Sequence, residues 1–497
     1  MAGDNQNGAV NSAVAASAAN DKSHARRPYQ KSLPNKLVVV MVGLPARGKT
    51  YIARKIVRYL NWLGYPARIF NVGQYRRDAV GSVQSHDFWN HENREANTIR
   101  EQLSKQALHD TLEWLRSPTA CVAVYDAANT TADRRTRVLK TCNEEGVAVM
   151  FVESICDDEE IILENIKEVK ISSPDYEGVD PEEAVLDFKK RIKHHESTYE
   201  RISTKEMDDA SPNSVPFIQL VNIGTQVLLN RIRGYLPSRI CYFCMNLNIT
   251  PRHIYMSRHG ESEYNVAGKI GGNANLSSRG EQYAARLPGI VVANLEPNVK
   301  LTVWTSTLKR TMQTAAALPY PKIQWRALDE LDSGLCDGMT YEEIDEKYPM
   351  EAAERAHDKF LYRYPGGESY RDLVQRLEPI IMELERPRDP DKQILIISHQ
   401  AVVRALYAYF LNIPPEELPY INVPLHTVFR LTPKAYKCDE VRWKVDVAAV
   451  STYRPKVDAA LVSPVTQKAQ QDLATSAASL GDGVAAVSVL EGHVVAT

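Results

Sequence analysis

Two periods of apolar and polar residues alternate along this chain. Leu37 to Val42 reads LVVVMV, an unbroken run rich in β-branched side chains, bounded by Pro34 and Gly43. Such a run, with no polar position, predicts a strand buried on both faces of a parallel sheet. YIARKIVRYLNWL then carries helical spacing, and ARIFNV returns to a strand pattern that ends at Gly73. CVAVYD (121–126) and VAVMFVES (147–154) repeat the short apolar run, with helical spans between them. FIQLVNI reads as a further strand and TQVLLNRIRGYL as a helix, which closes this half near Pro237. Strands separated by helices of this length predict βαβ units and a doubly wound α/β domain.

A second alternation follows. HIYMS (253–257), LTVWTS (301–306) and QILIIS (393–398) are again short apolar runs, each with a His or Arg within a few residues of its C-terminal end. Open α/β sheets place their ligand sites at that end. The expected architecture is therefore two doubly wound α/β domains in tandem, over 35–248 and 249–447, with SRICYFCMNLNIT (238–250) at the join. Residues 1–34 and 448–497 are rich in small and polar residues, with one aromatic each, Tyr29 and Tyr453. Segments that poor in apolar surface are expected to stay disordered.

Composition narrows the function classes. The 497 residues carry 60 Lys and Arg against 62 Asp and Glu, so no overall basic footprint for nucleic acid exists. No apolar run approaches the roughly 20 residues needed to cross a bilayer. The opening MAGDNQNG has no charged-then-apolar leader, and the seven cysteines are an odd number. Both observations give the expectation of a reducing, cytoplasmic setting without membrane partners. Cys241-x-x-Cys244 is a lone pair and reads as structural rather than zinc-binding.

Two groups of residues carry chemistry. Gly43-Leu44-Pro45-Ala46-Arg47-Gly48-Lys49-Thr50 fits the phosphate-loop spacing between a predicted strand and helix. Glycines let backbone N–H groups turn toward phosphates, and the helix N-terminus adds its positive dipole end. Lys49 then reaches the β- and γ-phosphates of a nucleoside triphosphate, and the Thr50 hydroxyl ligates Mg²⁺. Asp126, closing CVAVYD, stands where a magnesium carboxylate belongs. Arg76, Arg77, Arg100, Arg134, Lys170 and Arg191 are available to clamp an anionic acceptor.

In the second half Arg258-His259-Gly260-Glu261 follows HIYMS directly, and Ser398-His399 ends QILIIS. An imidazole nucleophile needs one nitrogen free and a rigid support, which a strand end supplies. Arg258 and Arg310 offer planar forks for a phosphoryl group, and Glu330 is the candidate general acid for a leaving alcohol.

These motifs resemble known proteins. The Arg-His-Gly-Glu string with a later strand-terminal Ser-His is similar to the histidine phosphatase superfamily. A phosphate-loop kinase ahead of such a domain resembles the bifunctional 6-phosphofructo-2-kinase/fructose-2,6-bisphosphatase family. GLPARGKTYIA, YLNWLG, FNVGQYRRDAV, VESIC, SPDY, TPRHIYMSRHGESEYN, YPGGESY, LVQRLEPIIMELE and PLHTV carry that resemblance from about Leu37 to Val447. It implies synthesis of fructose 2,6-bisphosphate from ATP and fructose 6-phosphate, and its hydrolysis through a phosphohistidine, which in that family controls glycolysis and gluconeogenesis. It further implies a homodimer. In the first half the resemblance assigns ATP and Mg²⁺ to the phosphate loop with Tyr51, Asn165 and Lys170, and makes Asp126 the catalytic carboxylate with Cys156 near the nucleotide. Arg76, Arg100, Arg134, Lys170, Arg191 and the position of His195 would bind fructose 6-phosphate. In the second half His259 would carry the phosphoryl group, Glu330 would give the proton and His399 would support transfer. Arg258, Asn265, Gly271, Arg310, Tyr341, Arg355, Lys359, Tyr370, Gln400 and Arg404 would hold the bisphosphate, with no metal required.

Two positions depart from the family pattern. The motif usually reads Asp-Ala-Thr-Asn-Thr-Thr, and here Ala128 replaces the first Thr; a Tyr usually stands where this chain has His195. The lost hydroxyl is worth about 0.5–1.5 kcal/mol, which predicts weaker fructose 6-phosphate binding with phosphoryl transfer retained. These departures leave a second reading open, a bisphosphatase whose first half only senses nucleotide.

Overall fold

The computed structural model describes residues 36–456, apart from 83, 173, 177–178, 204–215, 224, 248–251, 387–390 and 435–436. The expected disorder of 1–34 and of the tail beyond 456 lies outside the described residues. In the first half six strands form one sheet: β1 (Leu37–Val42), β2 (Ala67–Asn71), β3 (Val122–Asp126), β4 (Ala148–Ile155), β5 (Phe217–Val221) and β6 (Gln226–Asn230). Their order is β2-β3-β1-β4-β5-β6, parallel except for the antiparallel edge strand β6. All six residues of β1 are buried, as its unbroken apolar run requires of a central strand with helices on both faces.

The second half repeats the plan with β7 (Ile254–Arg258), β8 (Lys300–Thr305), β9 (Lys322–Gln324), β10 (Lys392–Ser398), β11 (Thr427–Pro433) and β12 (Cys438–Lys444). The order is β12-β11-β7-β10-β8-β9, with β11 antiparallel to both β7 and β12. Both sheets are therefore mixed, not purely parallel.

Two sequence expectations need correction. TQVLLNRIRGYL is not a helix: Gln226–Asn230 pairs as β6, and the helix begins at Tyr235 and runs to Met245. That helix fills much of the expected join, and it buries the free Cys241 and Cys244 in the core. The segment 448–456 is not a loose tail. Val450 N–H donates to Glu261 Oε2 (2.8 Å), Thr452 Oγ1 accepts from Arg258 (2.8 Å), and the Arg454 guanidinium lies 4.1 Å from the Tyr341 ring centre. Among the described residues no helix is long and apolar enough to cross a membrane.

The halves meet through the Lys49–Trp62 helix, which packs on the helices Tyr370–Glu385 and Gln400–Leu411. Trp62 donates its indole N–H to Ala405 O (2.8 Å), and Tyr59 stacks on Phe243 with ring centres 4.4 Å apart. Buried Glu385 accepts from Lys55 (2.6 Å), Arg58 (3.0 Å) and the Tyr409 hydroxyl (2.6 Å). Glu378 takes the Tyr59 hydroxyl and the Arg239 guanidinium. Burial alone pushes the Glu385 carboxyl up, yet Lys55 and Arg58 overcome it and hold the group at about 2.

Glu385→Ala removes the buried carboxylate that Lys55 and Arg58 both approach, and should destabilise the chain by about 3–5 kcal/mol in urea unfolding. A carboxyl held below its usual 4.5 stabilises fully above that pH and loses the contribution as pH falls toward 2. The gap in stability between wild type and Glu385→Ala should accordingly narrow through that window.

Candidate active sites

Each sheet turns its strand ends toward one site. After β1 the chain makes the phosphate loop, and at Gly43 (φ 135°) an added Cβ would lie 2.4 Å from Ser154 O, so only glycine fits. Asn165 donates to Ala46 O (3.1 Å), Lys49 donates to Leu44 O (2.6 Å), and Arg47 is buried with its guanidinium on Pro45 O. Thr50 opens the helix with its hydroxyl donating to Asp126 Oδ2 at 2.7 Å. The same oxygen takes Asn71 Nδ2 at 2.5 Å, because Asn71 and Asp126 are register partners at the ends of β2 and β3. Asn71 drew no notice in the sequence, since its role depends on that pairing.

Burial pushes Lys49 down to about 8 and pushes the Asp126 carboxyl up, the latter opposed by the Thr50 hydroxyl and Lys49. A cavity of about 1580 Å³ is lined by Pro45–Tyr51, Asp126, Ala128, Cys156 and Asn165, and also by Arg76, Arg100, Arg134, Arg191 and His195. The structure thus brings together nearly all the first-half residues singled out in the sequence. The Lys170 side chain lies outside the described residues.

Inside the cavity Arg76 (2.6 Å) and Arg191 (3.6 Å) both approach Asp175, and Arg191 stacks 3.8 Å from the Trp89 ring centre. Arg134 bonds Ser104 Oγ (2.6 Å) and Asn129 Oδ1 (3.1 Å). Arg100 Nε and Arg191 Nε are buried without a partner. Burial, helped by the charges of Arg191, Lys49 and Arg100, holds His195 well below its usual range, so its ring is neutral. The Cys156 thiol is pushed up by burial and donates to Asp158 O, which makes it a poor nucleophile.

In the second half His259 and His399 emerge from the adjacent strands β7 and β10, with ring centres 5.2 Å apart. His259 Nδ1 lies 2.6 Å from Gly260 O. A carbonyl only accepts, so Nδ1 carries the proton and Nε2 keeps its lone pair. His399 Nε2 shares a 2.7 Å hydrogen bond with Ser306 Oγ, while its Nδ1 is buried without a partner. Arg258 Nη1 donates to Val423 O (3.0 Å) and Thr452 Oγ1, its Nε has no partner, and burial pushes it down to about 9. Arg310 donates to Gly272 O (2.6 Å).

Glu330 accepts from the N–H groups of Gln400 (3.1 Å) and Ala401 (3.2 Å), at the N-terminus of the Gln400–Leu411 helix. Farther out, Arg355 donates to the hydroxyls of Tyr341 (3.1 Å) and Tyr364 (3.0 Å), and Arg404 to the Tyr370 hydroxyl (3.0 Å). Burial pushes Lys359, which donates to Pro419 O, down to about 6. Asn265 closes a capping box with Ser262, and Gly271 (φ 69°) leaves room that an added Cβ would take from Asp337. Ser306, Thr452 and Arg454 were missed in the sequence; each acts on another site residue and belongs to no local motif.

Comparison with known proteins agrees with this geometry. Residues 25–251 match the 6-phosphofructo-2-kinase family model, and residues 254–446 match the histidine phosphatase superfamily (branch 1). A Gallus gallus protein named 6-phosphofructo-2-kinase/fructose-2,6-bisphosphatase is 52% identical over 84% of this chain and 87% of its own length. A Rattus norvegicus protein named 6-phosphofructo-2-kinase/fructose-2,6-bisphosphatase 1 is 49% identical over 88% of this chain and 90% of its own. The chain belongs to the 6-phosphofructo-2-kinase/fructose-2,6-bisphosphatase family. It is an enzyme with a kinase half followed by a histidine phosphatase half. A Saccharomyces cerevisiae protein named fructose-2,6-bisphosphatase is also similar, 49% identical over 85% of this chain and 91% of its own.

Burial, with Arg310 beside both rings, holds His259 and His399 well below the usual 6.5. A group shifted down stays neutral at pH values where a free imidazole is already half charged. Imidazole ¹⁵N spectra of the full chain should show both rings neutral at pH 6; a protonated His259 there would overturn the assignment.

Proposed function

We propose that the kinase half transfers the γ-phosphoryl group of ATP to the 2-hydroxyl of fructose 6-phosphate, and that the phosphatase half hydrolyses fructose 2,6-bisphosphate back to fructose 6-phosphate. The observation that carries the reading is the His259–His399 pair, in which Gly260 O holds Nδ1–H and leaves His259 Nε2 free. In the phosphatase half, His259 Nε2 attacks the 2-phosphoryl phosphorus and forms the P–N bond as the P–O bond to the sugar breaks. Glu330 supplies the proton to the departing oxygen, and water then cleaves the phosphohistidine. Arg258, Arg310 and His399 surround the transferring oxygens, and the unpartnered Arg258 Nε and His399 Nδ1 are donors suited to them. Tyr341, Arg355, Lys359, Tyr370, Gln400 and Arg404, with Asn265 and Gly271, hold the remainder of the sugar bisphosphate.

In the kinase half, the loop from Gly43 to Tyr51 with Asn165 and Lys170 takes the nucleotide, and Lys49 reaches its terminal phosphates. Thr50 Oγ1 and the buried Asp126 Oδ2, 2.7 Å apart, form a hard oxygen pair that fits Mg²⁺. Held by these two groups, Mg²⁺ would supply charge neutralisation to the transferring phosphoryl group. Arg76, Arg100, Arg134 and Arg191, with His195, take the sugar phosphate. The partners are these small molecules and a second copy of the chain as a homodimer, in the cytoplasm. Ala128 and His195 favour a second reading, in which the first half binds nucleotide without turnover.

His259→Ala protein given Mg-ATP and fructose 6-phosphate should accumulate acid-labile fructose 2,6-bisphosphate, because hydrolysis no longer removes it. No product, with wild-type hydrolysis intact, would leave the second reading. Restoring the hydroxyl with Ala128→Thr should lower KM for fructose 6-phosphate by about two- to tenfold, the equivalent of one such hydrogen bond.

A further inference from the structure

PLHTV is a motif of the phosphatase half to which the phosphoryl-transfer roles assign nothing. Its His426 is buried, in a left-handed backbone conformation (φ 54°), just before β11. The ring stacks on Tyr283, with centres 4.6 Å apart and planes within 10°. The Tyr283 hydroxyl bonds Ser257 Oγ (2.6 Å), which donates to Arg258 O (2.7 Å). His426 Nδ1 lies 3.0 Å from Val447 O, and Glu261 N–H donates to His426 Nε2 at 3.0 Å. A carbonyl only accepts and an amide N–H only donates, so the tautomer is fixed with the proton on Nδ1.

The amide that donates to His426 is the one whose carbonyl holds His259. Gly260 C=O and Glu261 N–H belong to one peptide unit, and the chain has no cis peptide among the described residues. In a trans peptide these two groups point in opposite directions. One end of the plane therefore accepts from His259 Nδ1–H, and the other donates to His426 Nε2. The two neighbouring amides are pinned as well, His259 N–H to Ser398 O and Gly260 N–H to Thr314 Oγ1, both at 2.9 Å. A rotated Gly260–Glu261 peptide would turn its carbonyl away from His259 and release the ring to either tautomer.

We propose that His426 is a positioning residue for phosphoryl transfer: by accepting from Glu261 N–H it fixes the Gly260–Glu261 peptide so that Gly260 O keeps His259 protonated on Nδ1 and nucleophilic on Nε2. The proposal rests on His259 being the nucleophile, as argued above. Bonds in series through one amide polarise each other, so the contact also makes Gly260 O a better acceptor. Burial holds the His426 imidazole below its usual range; the Val447 carbonyl and Glu261 oppose this, and Arg258 and Arg279 add to it. The ring therefore remains neutral, with Nε2 open to the amide.

His426→Asn tests this, because Asn tolerates a left-handed backbone but its side chain is too short to reach the Glu261 amide. His426→Gln restores length, an acceptor and a donor. In the full-length protein, His259 ¹⁵N signals should show one tautomer in wild type, a mixture in His426→Asn, and mostly the wild-type tautomer in His426→Gln. The kcat for fructose 2,6-bisphosphate should fall by about 10–100-fold in His426→Asn with KM changed less than about twofold, and His426→Gln should recover most of it. Unchanged kcat in a folded His426→Asn protein, or a loss of kcat with His259 still in a single Nδ1–H tautomer, would overturn the proposal. A shifted tautomer in a protein whose wild type does not hydrolyse fructose 2,6-bisphosphate would support the positioning while overturning the substrate reading.

Discussion

Much of the architecture depends on one buried carboxylate. Glu385 sits among Lys55, Arg58 and Tyr409, so it gathers a helix from each half onto the end of a third. The Lys49–Trp62 helix starts at the phosphate loop, and the Gln400–Leu411 helix starts beside His399. Both run from a candidate site to the same ionic cluster. A charge out of water needs its partners nearby, so this cluster ties together the two helices that begin at the sites. The apolar core is likewise continuous across the join, including Leu60 and Trp62 from one side and Leu377 and Leu406 from the other.

Both sites solve the same problem, handling anions inside a protein. In each, arginines are held in a buried setting by neighbours that are neutral or only partly compensating: Asn129, Ser104 and Asp175 in one, main-chain carbonyls and Thr452 in the other. Guanidinium groups so placed keep their orientation without being fully neutralised. Donors left without acceptors at Arg100, Arg191, Arg258 and His399 follow the same logic.

What was legible in the sequence was local. The central strands declare themselves because burial on both faces forces an unbroken apolar run, and the phosphate loop and the Arg-His-Gly-Glu string are contiguous. The strand β6 was misread because Val227, Leu228, Leu229 and Ile232 can be placed on a helix; pairing with β5 overrides that preference and leaves Leu228 and Leu229 half exposed. The 448–456 segment carries no apolar signal of order because it is held by hydrogen bonds to buried Glu261 and Arg258 rather than by apolar surface of its own. Ser306, Asn71 and His426 lie far in sequence from the groups they hold, and no spacing rule connects them.

The ionic join also limits how such a chain can be rearranged. A phosphatase half moved onto a different kinase would arrive with Glu378 and Glu385 buried against a surface lacking Lys55, Arg58, Tyr59 and Arg239. A kinase half moved alone would expose the faces of Tyr59 and Trp62. The two halves therefore form a matched pair, and a chimaera would have to carry the helix Lys49–Trp62 and its acceptors together.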